Sequence, residues 1–194
     1  MAFWTSAASE PKRQHRFILR LPQLQSTGGG AYAEYLCKSV TKPSYTVSET
    51  PHQFLGNTYY YPGTVTWNTV SATIINSIDP DGNALLYDAL IKSGYLLPNQ
   101  QAARVTDAGA ISSGISTVNK SMALGALGAV SIEELTGTGQ VVSTWTLKNP
   151  FITEAKFGDL DYSGDDLLNI EMTFRYDWAE YEIGPGLELV KAMQ

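Results

Sequence analysis

Residues Leu167 to Trp178, LLNIEMTFRYDW, decide the fold of this chain. From Ile170 onward, apolar or aromatic residues alternate with polar ones. The predicted inner face holds Ile170, Met172, Phe174, Tyr176 and Trp178, and the predicted outer face holds Glu171, Thr173, Arg175 and Asp177. Because successive side chains of a strand point to opposite faces of a sheet, this period of two predicts a strand with one buried face and one solvated face.

Other segments of the chain carry strand patterns as well. The clearest are Arg16 to Leu21, Ala129 to Leu135, Gln140 to Lys148 and Phe151 to Phe157. Residues Tyr32 to Val47 predict a strand interrupted at Pro43, since proline donates no hydrogen bond to a neighbouring strand. Residues Thr64 to Asn76 predict a long strand whose apolar residues change face near Asn68. Either a bulge there shifts the register, or the strand is buried on both sides.

One helix is predicted at Ala84 to Ser93. The turn and N-cap signal DPDGN precedes it at Asp79 to Asn83, and Gly94 follows it. About seven strands and one flanking helix predict a mainly β (α+β) fold, either a barrel or a sandwich.

The remaining segments are predicted to be extended. Residues Asn99 to Gly128 are rich in Ala, Ser and Gly and poor in large apolar residues, which predicts a mobile loop over 99–128. Residues 1–13 are predicted to be an N-terminal arm and residues 181–194 a C-terminal arm. The domain itself is expected to span residues 14–180.

Composition excludes several function classes. Of the 194 residues only 16% are charged, below the roughly 25% typical of soluble domains, whereas 11 Tyr, 6 Phe and 4 Trp suit strands and extended interfaces. A net charge of −6 has the wrong sign for a conventional DNA-binding domain. The lone Cys37 allows no internal disulfide, and no apolar run approaches the ~18 residues of a membrane span. We therefore expect an intracellular protein without membrane binding.

No segment carries a catalytic pattern. Asp159, Asp161 and Asp165 with Gly164 match the first half of a calcium-binding loop, but Ile170 stands where that loop requires a carboxylate. An acidic hairpin turn is the favoured interpretation. The two histidines, His15 and His52, lie in segments without partners for acid–base catalysis. We predict no enzyme activity, no catalytic residue, no cofactor and no metal site.

The tyrosine triplet Tyr59, Tyr60 and Tyr61 lies in the segment Ser48 to Gly63, which is predicted to be the tip of a long hairpin. Without interleaved Lys or Arg, these tyrosines favour an interface between subunits. Packing within the turn and stacking on a ligand remain open alternatives.

Several short motifs, taken together, resemble the tail tube proteins of contractile-tailed bacteriophages. In order they are Tyr60 to Trp67 (YYPGTVTW), Asp79 to Gly94 (DPDGNALLYDALIKSG), Trp145 to Asn149 (WTLKN), Phe157 to Asp166 (FGDLDYSGDD) and Tyr176 to Trp178 (YDW). The resemblance covers most of residues 32–180. The secretion-system tube protein Hcp, which belongs to the same superfamily, is a looser comparison.

The resemblance implies a structural subunit of a virion tail, assembled in the host cytoplasm. Six copies would form a ring whose sheets join into one barrel, and stacked rings would form a channel for double-stranded DNA. The implied partners are further copies of the chain, the tail sheath, and baseplate or tail-terminator proteins. If the last strand belongs to the inner barrel, Glu171 and Thr173 line the channel together with Thr144 and Thr146.

Two alternatives belong to other classes of protein. A monomeric β-barrel could bind a small ligand or a carbohydrate through its tyrosines. A hydrolase with a site in the turn Asp159 to Asp166 would lack a base.

Overall fold

The computed structural model describes residues 11–24, 34–98 and 117–184 of the chain. Over these residues it contains ten strands, two α-helices and one short 3-10 helix. The strands are β1 Phe17–Arg20, β2 Cys37–Val40, β3 Tyr45–Phe54, β4 Asn57–Trp67, β5 Val70–Ile75, β6 Val130–Leu135, β7 Val141–Lys148, β8 Phe151–Lys156, β9 Asn169–Arg175 and β10 Trp178–Ile183. The helices are α1 Gly82–Lys92 and α2 Lys120–Leu127, and the 3-10 helix is Glu34–Leu36.

Two four-stranded antiparallel sheets form a sandwich. Sheet I has the order β1-β6-β7-β10, and sheet II has the order β2-β5-β9-β8. One apolar core lies between them, and its largest buried side chains come from both sheets. They are Leu19, Val130, Ile132 and Leu147 from sheet I, and Val70, Ile74, Ile170, Met172 and Phe174 from sheet II. The mainly β prediction is confirmed.

The third sheet is a two-stranded antiparallel ribbon of β3 and β4. Every residue from 45 to 66 is exposed, so the ribbon stands apart from the sandwich. The chain leaves the ribbon at Asn68 and Thr69 and begins β5 at Val70. The change of apolar face predicted near Asn68 is therefore a break between two strands that belong to different sheets.

Strand β9 confirms the alternation read from the sequence, because Ile170, Met172 and Phe174 are fully buried. Trp178 was predicted on the same face, and this was wrong. It begins β10 in sheet I and is 45% exposed. The chain crosses from one sheet to the other at Asp177, whose N–H donates to the Lys148 carbonyl.

Helix α1 forms as predicted and packs on the core through Leu85, Leu86 and Ala89. At its start the Asp81 carboxylate accepts a hydrogen bond from the Asn83 N–H at 3.0 Å. Such a side-chain cap satisfies one of the backbone donors that a helix N-terminus leaves unpaired.

Three predicted extended segments need correction or lie outside the described residues. Within the predicted loop 99–128, residues Lys120–Leu127 form helix α2, whose Ala123, Ala126 and Leu127 are buried. Alanines let α2 pack closely against α1 and β8, although the same composition suggested a loop. Residues 181–183 belong to β10 rather than to an arm. Residues 1–10, 99–116 and 185–194 lie outside the described residues, so those parts of the arm and loop predictions are untested.

Candidate assembly surfaces

The β3–β4 ribbon carries the three tyrosines predicted to form an interface. Tyr59 and Tyr61 lie on one face of the ribbon and Tyr60 lies on the other, because side chains alternate along a strand. Tyr59 is 50% exposed, Tyr60 is 63% exposed and Tyr61 is 58% exposed. Both faces of the ribbon therefore present aromatic surface to solvent. A two-stranded ribbon of this kind is marginally stable by itself and gains stability when another surface covers it.

The tip of the ribbon is also apolar. Leu55 and Gly56 form the two-residue turn, with φ angles of 48° and 81°. Two positive φ angles match the twist of the flanking strands, but they are unfavourable for a residue as bulky as leucine. Leu55 and its neighbour Phe54 are nevertheless exposed. Strained backbone geometry concentrates at functional positions, so this tip is a candidate contact.

The base of the ribbon is fixed to the sandwich by aromatic packing. The Trp67 ring lies between Tyr45, at a centroid distance of 5.5 Å, and Tyr176, at 6.0 Å. Tyr176 is almost fully buried, and burial raises the pKa of its hydroxyl above the ordinary value. The ribbon is thus anchored at one end and exposed along the rest of its length.

The outer face of sheet II is polar and carries two of the predicted channel residues. Glu171 is exposed and Thr173 is half-buried on this face. The Lys156 ammonium lies 3.6 Å from the carboxylates of both Glu154 and Glu171. Opposite charges therefore lie side by side here, and the face combines them with hydroxyl groups.

Thr144 and Thr146 lie on the outer face of sheet I instead. In the strand register Thr144 faces Glu133 and Glu182 of the neighbouring strands. The outer faces of the two sheets point away from each other across the core. A channel wall made of one sheet cannot include both pairs, so the prediction that all four residues share one wall is corrected.

A buried carboxylate links three parts of the chain at the edge where β1 approaches β2. Glu134 is 7% exposed and accepts a hydrogen bond from the Ser143 hydroxyl at 2.7 Å. It also forms ion pairs with Lys12 and Lys42. Burial alone would raise the pKa of Glu134, but the bonds from the two lysines and Ser143 outweigh it and lower the pKa to about 2.

This cluster holds the last part of the predicted N-terminal arm in place. Lys12 precedes β1, and Lys42 lies in the link between β2 and the ribbon. Glu134 therefore holds the start of the described chain and the entry to the ribbon against sheet I. No local pattern of residues predicts this cluster, because Lys12 and Glu134 are 122 positions apart.

The acidic segment between β8 and β9 is a turn. Both oxygens of the Asp161 carboxylate accept hydrogen bonds from Ser163, one from its N–H at 3.0 Å and one from its hydroxyl at 2.7 Å. These bonds lower the pKa of Asp161. Among the described residues, no three His, Cys, Asp or Glu side chains are grouped so as to hold a metal ion.

The two histidines are not brought together. His15 precedes β1 and His52 lies in β3, and both are exposed.

No helix in the described part of the chain has the length and apolarity needed to cross a bilayer.

Solved structures of contractile injection systems share this architecture. A chain of the PVC sheath–tube complex in its extended state superposes with a TM-score of 0.55 at 19% identity, covering 89% of this chain and 92% of that one. A chain of the PVC sheath/tube terminator gives 0.55 at 15% identity, covering 89% and 97%. A chain of the anti-feeding prophage baseplate gives 0.54 at 16% identity, covering 89% and 96%.

The chain has a tail-tube-like fold. At these identities the similarity concerns the fold alone. No family model and no curated protein sequence matches the chain. The resemblance read from the sequence is therefore confirmed at the level of the fold.

Proposed function

We propose that this chain is a non-enzymatic structural subunit of a contractile tail, in which six copies form a ring and stacked rings form a tube for double-stranded DNA. The observation that carries the proposal is the β3–β4 ribbon. It extends about 36 Å if its 11-residue strand rises ~3.3 Å per residue. Its tyrosines are exposed on both faces, as expected for an element that a neighbouring subunit or ring covers.

Sheet II is suited to closing into the inner barrel. Its four antiparallel strands alternate in direction, so β8 of one copy runs antiparallel to β2 of the next when copies are arranged head to tail. With four strands from each of six copies, spacing of ~4.8 Å and tilt of ~40° give a backbone diameter of roughly 48 Å. About 5 Å of side chain on each wall leaves ~38 Å, wider than duplex DNA at roughly 20 Å.

The polar outer face of sheet II suits a DNA channel. Glu171 and Thr173 would line it in this arrangement, while the Lys156 ammonium is balanced by neighbouring carboxylates. A basic wall would hold phosphates through counterion release, whereas this wall lets DNA slide. Thr144 and Thr146 would then lie outside the channel, on the side available to a sheath.

The proposed partners are sheath, baseplate and terminator proteins, in a virion tail assembled in the host cytoplasm. The structurally similar chains come from sheath–tube, terminator and baseplate assemblies, which supports this choice.

Electron microscopy of the purified protein tests the proposal. We expect rings or tubes from the normal chain, and folded but unassembled subunits when Tyr59, Tyr60 and Tyr61 are all replaced by Ser. The variant Tyr87→Ser, which alters an exposed tyrosine on α1, is the control and should assemble normally. A normal chain that stays monomeric at high concentration would instead favour the ligand-binding β-barrel.

A further inference from the structure

Two surfaces of opposite charge lie at opposite edges of sheet II. The first, here called the basic groove, is a cavity of about 550 Å³ beside β2. Five cationic side chains line it against a single carboxylate, Glu134. They are Lys12, Arg13, Arg16, Lys38 and Lys42. The groove is unusual in a chain whose net charge is −6.

Part of the positive charge in the basic groove is uncompensated. Lys12 and Lys42 pair with Glu134, but Arg13 and Lys38 are exposed and have no carboxylate partner within the described residues. Besides the cations, the lining contains buried or half-buried apolar residues, namely Phe17, Val40, Ile132 and Leu135, and the exposed polar residues Gln14, His15 and Ser39. The groove therefore combines a basic rim with an apolar floor.

The second surface, here called the acidic turn, comprises residues 158–166 between β8 and β9. Asp159, Asp161, Asp165 and Asp166 are exposed, and none has a cationic partner within the described part of the chain. Leu160 and Tyr162 are 89% and fully exposed. The turn thus presents four carboxylates around two outward apolar side chains, which is the chemical complement of the basic groove.

The turn has a defined shape. Gly158 has a φ of 79°, and a Cβ there would collide with the Asn169 carbonyl. The Asp161 carboxylate is held by Ser163. A surface that is already ordered loses less conformational entropy when it docks.

Lys38 of the basic groove and the start of the acidic turn lie near the same end of sheet II. Along one row of sheet II, Ser39 of β2 pairs with Thr73, Thr73 with Glu171, and Glu171 with Lys156 of β8. Lys38 is one residue from this row in β2, and the acidic turn begins two residues beyond Lys156 in β8. Both lie toward the end of the sheet where β5 finishes and β9 begins.

Within one chain the two surfaces cannot neutralise each other. Strands β2 and β8 are separated by three inter-strand spacings, roughly 14 Å at ~4.8 Å each, which exceeds the Debye length of about 8 Å at physiological ionic strength. In a head-to-tail arrangement, however, β8 of one copy meets β2 of the next. That contact brings the acidic turn and the basic groove together.

We propose that the acidic turn of each copy docks in the basic groove of the next, with Tyr162 and Leu160 on the apolar floor and the aspartates against Arg13 and Lys38. This inference rests on the proposed ring and assigns the residues of its lateral contact. Because the two surfaces differ, the interface is heterologous and generates rings rather than isolated dimers. Assembly of the normal chain should weaken as salt rises, since exposed charge pairs are screened.

Charge reversal tests the contact. The variant Asp165→Lys with Asp166→Lys and the variant Arg13→Glu with Lys38→Glu should each fold, because all four side chains are exposed. Each variant alone should need at least roughly tenfold more protein for half-assembly, since each double substitution cancels the net charge of its surface and sets like charges at positions 165 and 166 against positions 13 and 38. The control, Glu180→Lys with Glu182→Lys, makes the same charge change as the turn variant on the outer face of sheet I, where it also removes the Lys148–Glu180 ion pair, and should assemble normally.

Mixing the two variants gives the sharpest result. In an alternating ring, every altered turn meets an altered groove and every normal turn meets a normal groove, so an equimolar mixture should form rings at a concentration at which neither variant does alone. Sedimentation velocity and electron microscopy measure this, with circular dichroism to verify folding.

The other outcomes separate this inference from the proposed function. Normal assembly of both variants, or a mixture that stays unassembled, would overturn the turn–groove contact while rings of the normal chain uphold the proposed function. A normal chain that forms no rings would overturn both. Binding of duplex DNA that Arg13→Glu with Lys38→Glu abolishes, without change in assembly, would assign the groove to nucleic acid and overturn the inference.

Discussion

Replacing Glu134 by Gln should destabilise the folded subunit by an amount that depends on pH. The substitution preserves shape and leaves an amide that can still accept a hydrogen bond from Ser143, but it removes the negative charge that Lys12 and Lys42 share. The lysines are more than half exposed, so they return to water at little cost. The expected loss is therefore mainly the loss of the carboxylate's own interactions.

The size of the effect follows from the pKa of Glu134, which is lowered from 4.5 to about 2. Because the folded state binds this proton less readily than the unfolded state, the stabilisation is complete above pH ~4.5 and is lost as the pH falls toward 2. At about 1.4 kcal/mol per pKa unit, the difference between the normal chain and Glu134→Gln is about 3 kcal/mol at pH 7. It falls to about 1.4 kcal/mol at pH 3 and to less than about 0.5 kcal/mol at pH 2.

Urea unfolding of both proteins at these three pH values measures the difference, at protein concentrations too low for assembly. The control Glu182→Gln makes the same chemical change at an exposed position without a described ion pair, and should change stability by less than about 0.5 kcal/mol at every pH. A difference for Glu134→Gln that stays constant between pH 7 and pH 2 would refute the ion-pair account. So would a loss no larger than that of the control.

Three further predictions concern the channel, the core and the helix start. Replacing Glu171 and Thr173 by Lys should slow DNA ejection at low salt in particles of equal tube length, and equal ejection rates would remove both residues from the channel wall. Replacing the fully buried Phe174 by Ala should lower the free energy of unfolding by about 3–5 kcal/mol in urea titrations, whereas Tyr162→Ala should leave it nearly unchanged. Asp81→Ala should cost about 1 kcal/mol through the lost cap of α1, and Asp81→Asn should retain most of it; equal losses would count against the cap.

The parts of the fold that the sequence predicts are those set by neighbours along the chain. Strand β9 follows from its alternation, and α1 follows from the Asp81 cap and from Gly94, which has a φ of 104°. The sequence predicts a loop where helix α2 lies, because the buried side chains of α2 are mostly alanines. Small apolar residues indicate a packed helix only when the surface that they contact is known.

The parts that the sequence could not predict depend on contacts between distant residues. Trp178 leaves the expected face because β10 pairs with β7 of the other sheet, and the Asp177 carboxylate accepts hydrogen bonds from Lys120 and Asn149 at the crossing. The separation of Thr144 from Glu171 depends on which strands pair, and a strand pattern does not specify its partner. The tyrosine ribbon was found because exposed aromatics cluster within one short segment.

The aromatic joint at the base of the ribbon has a mechanical consequence. A ribbon held only through one end acts as a lever, and a force on its tip produces the largest torque at Trp67. The Trp67 ring passes that torque to Tyr176, which immediately follows β9 and lies two residues before β10. Both sheets therefore receive the load at one point, so a ribbon gripped by a neighbouring copy would pass tension and torsion from its tip into the core of the sandwich.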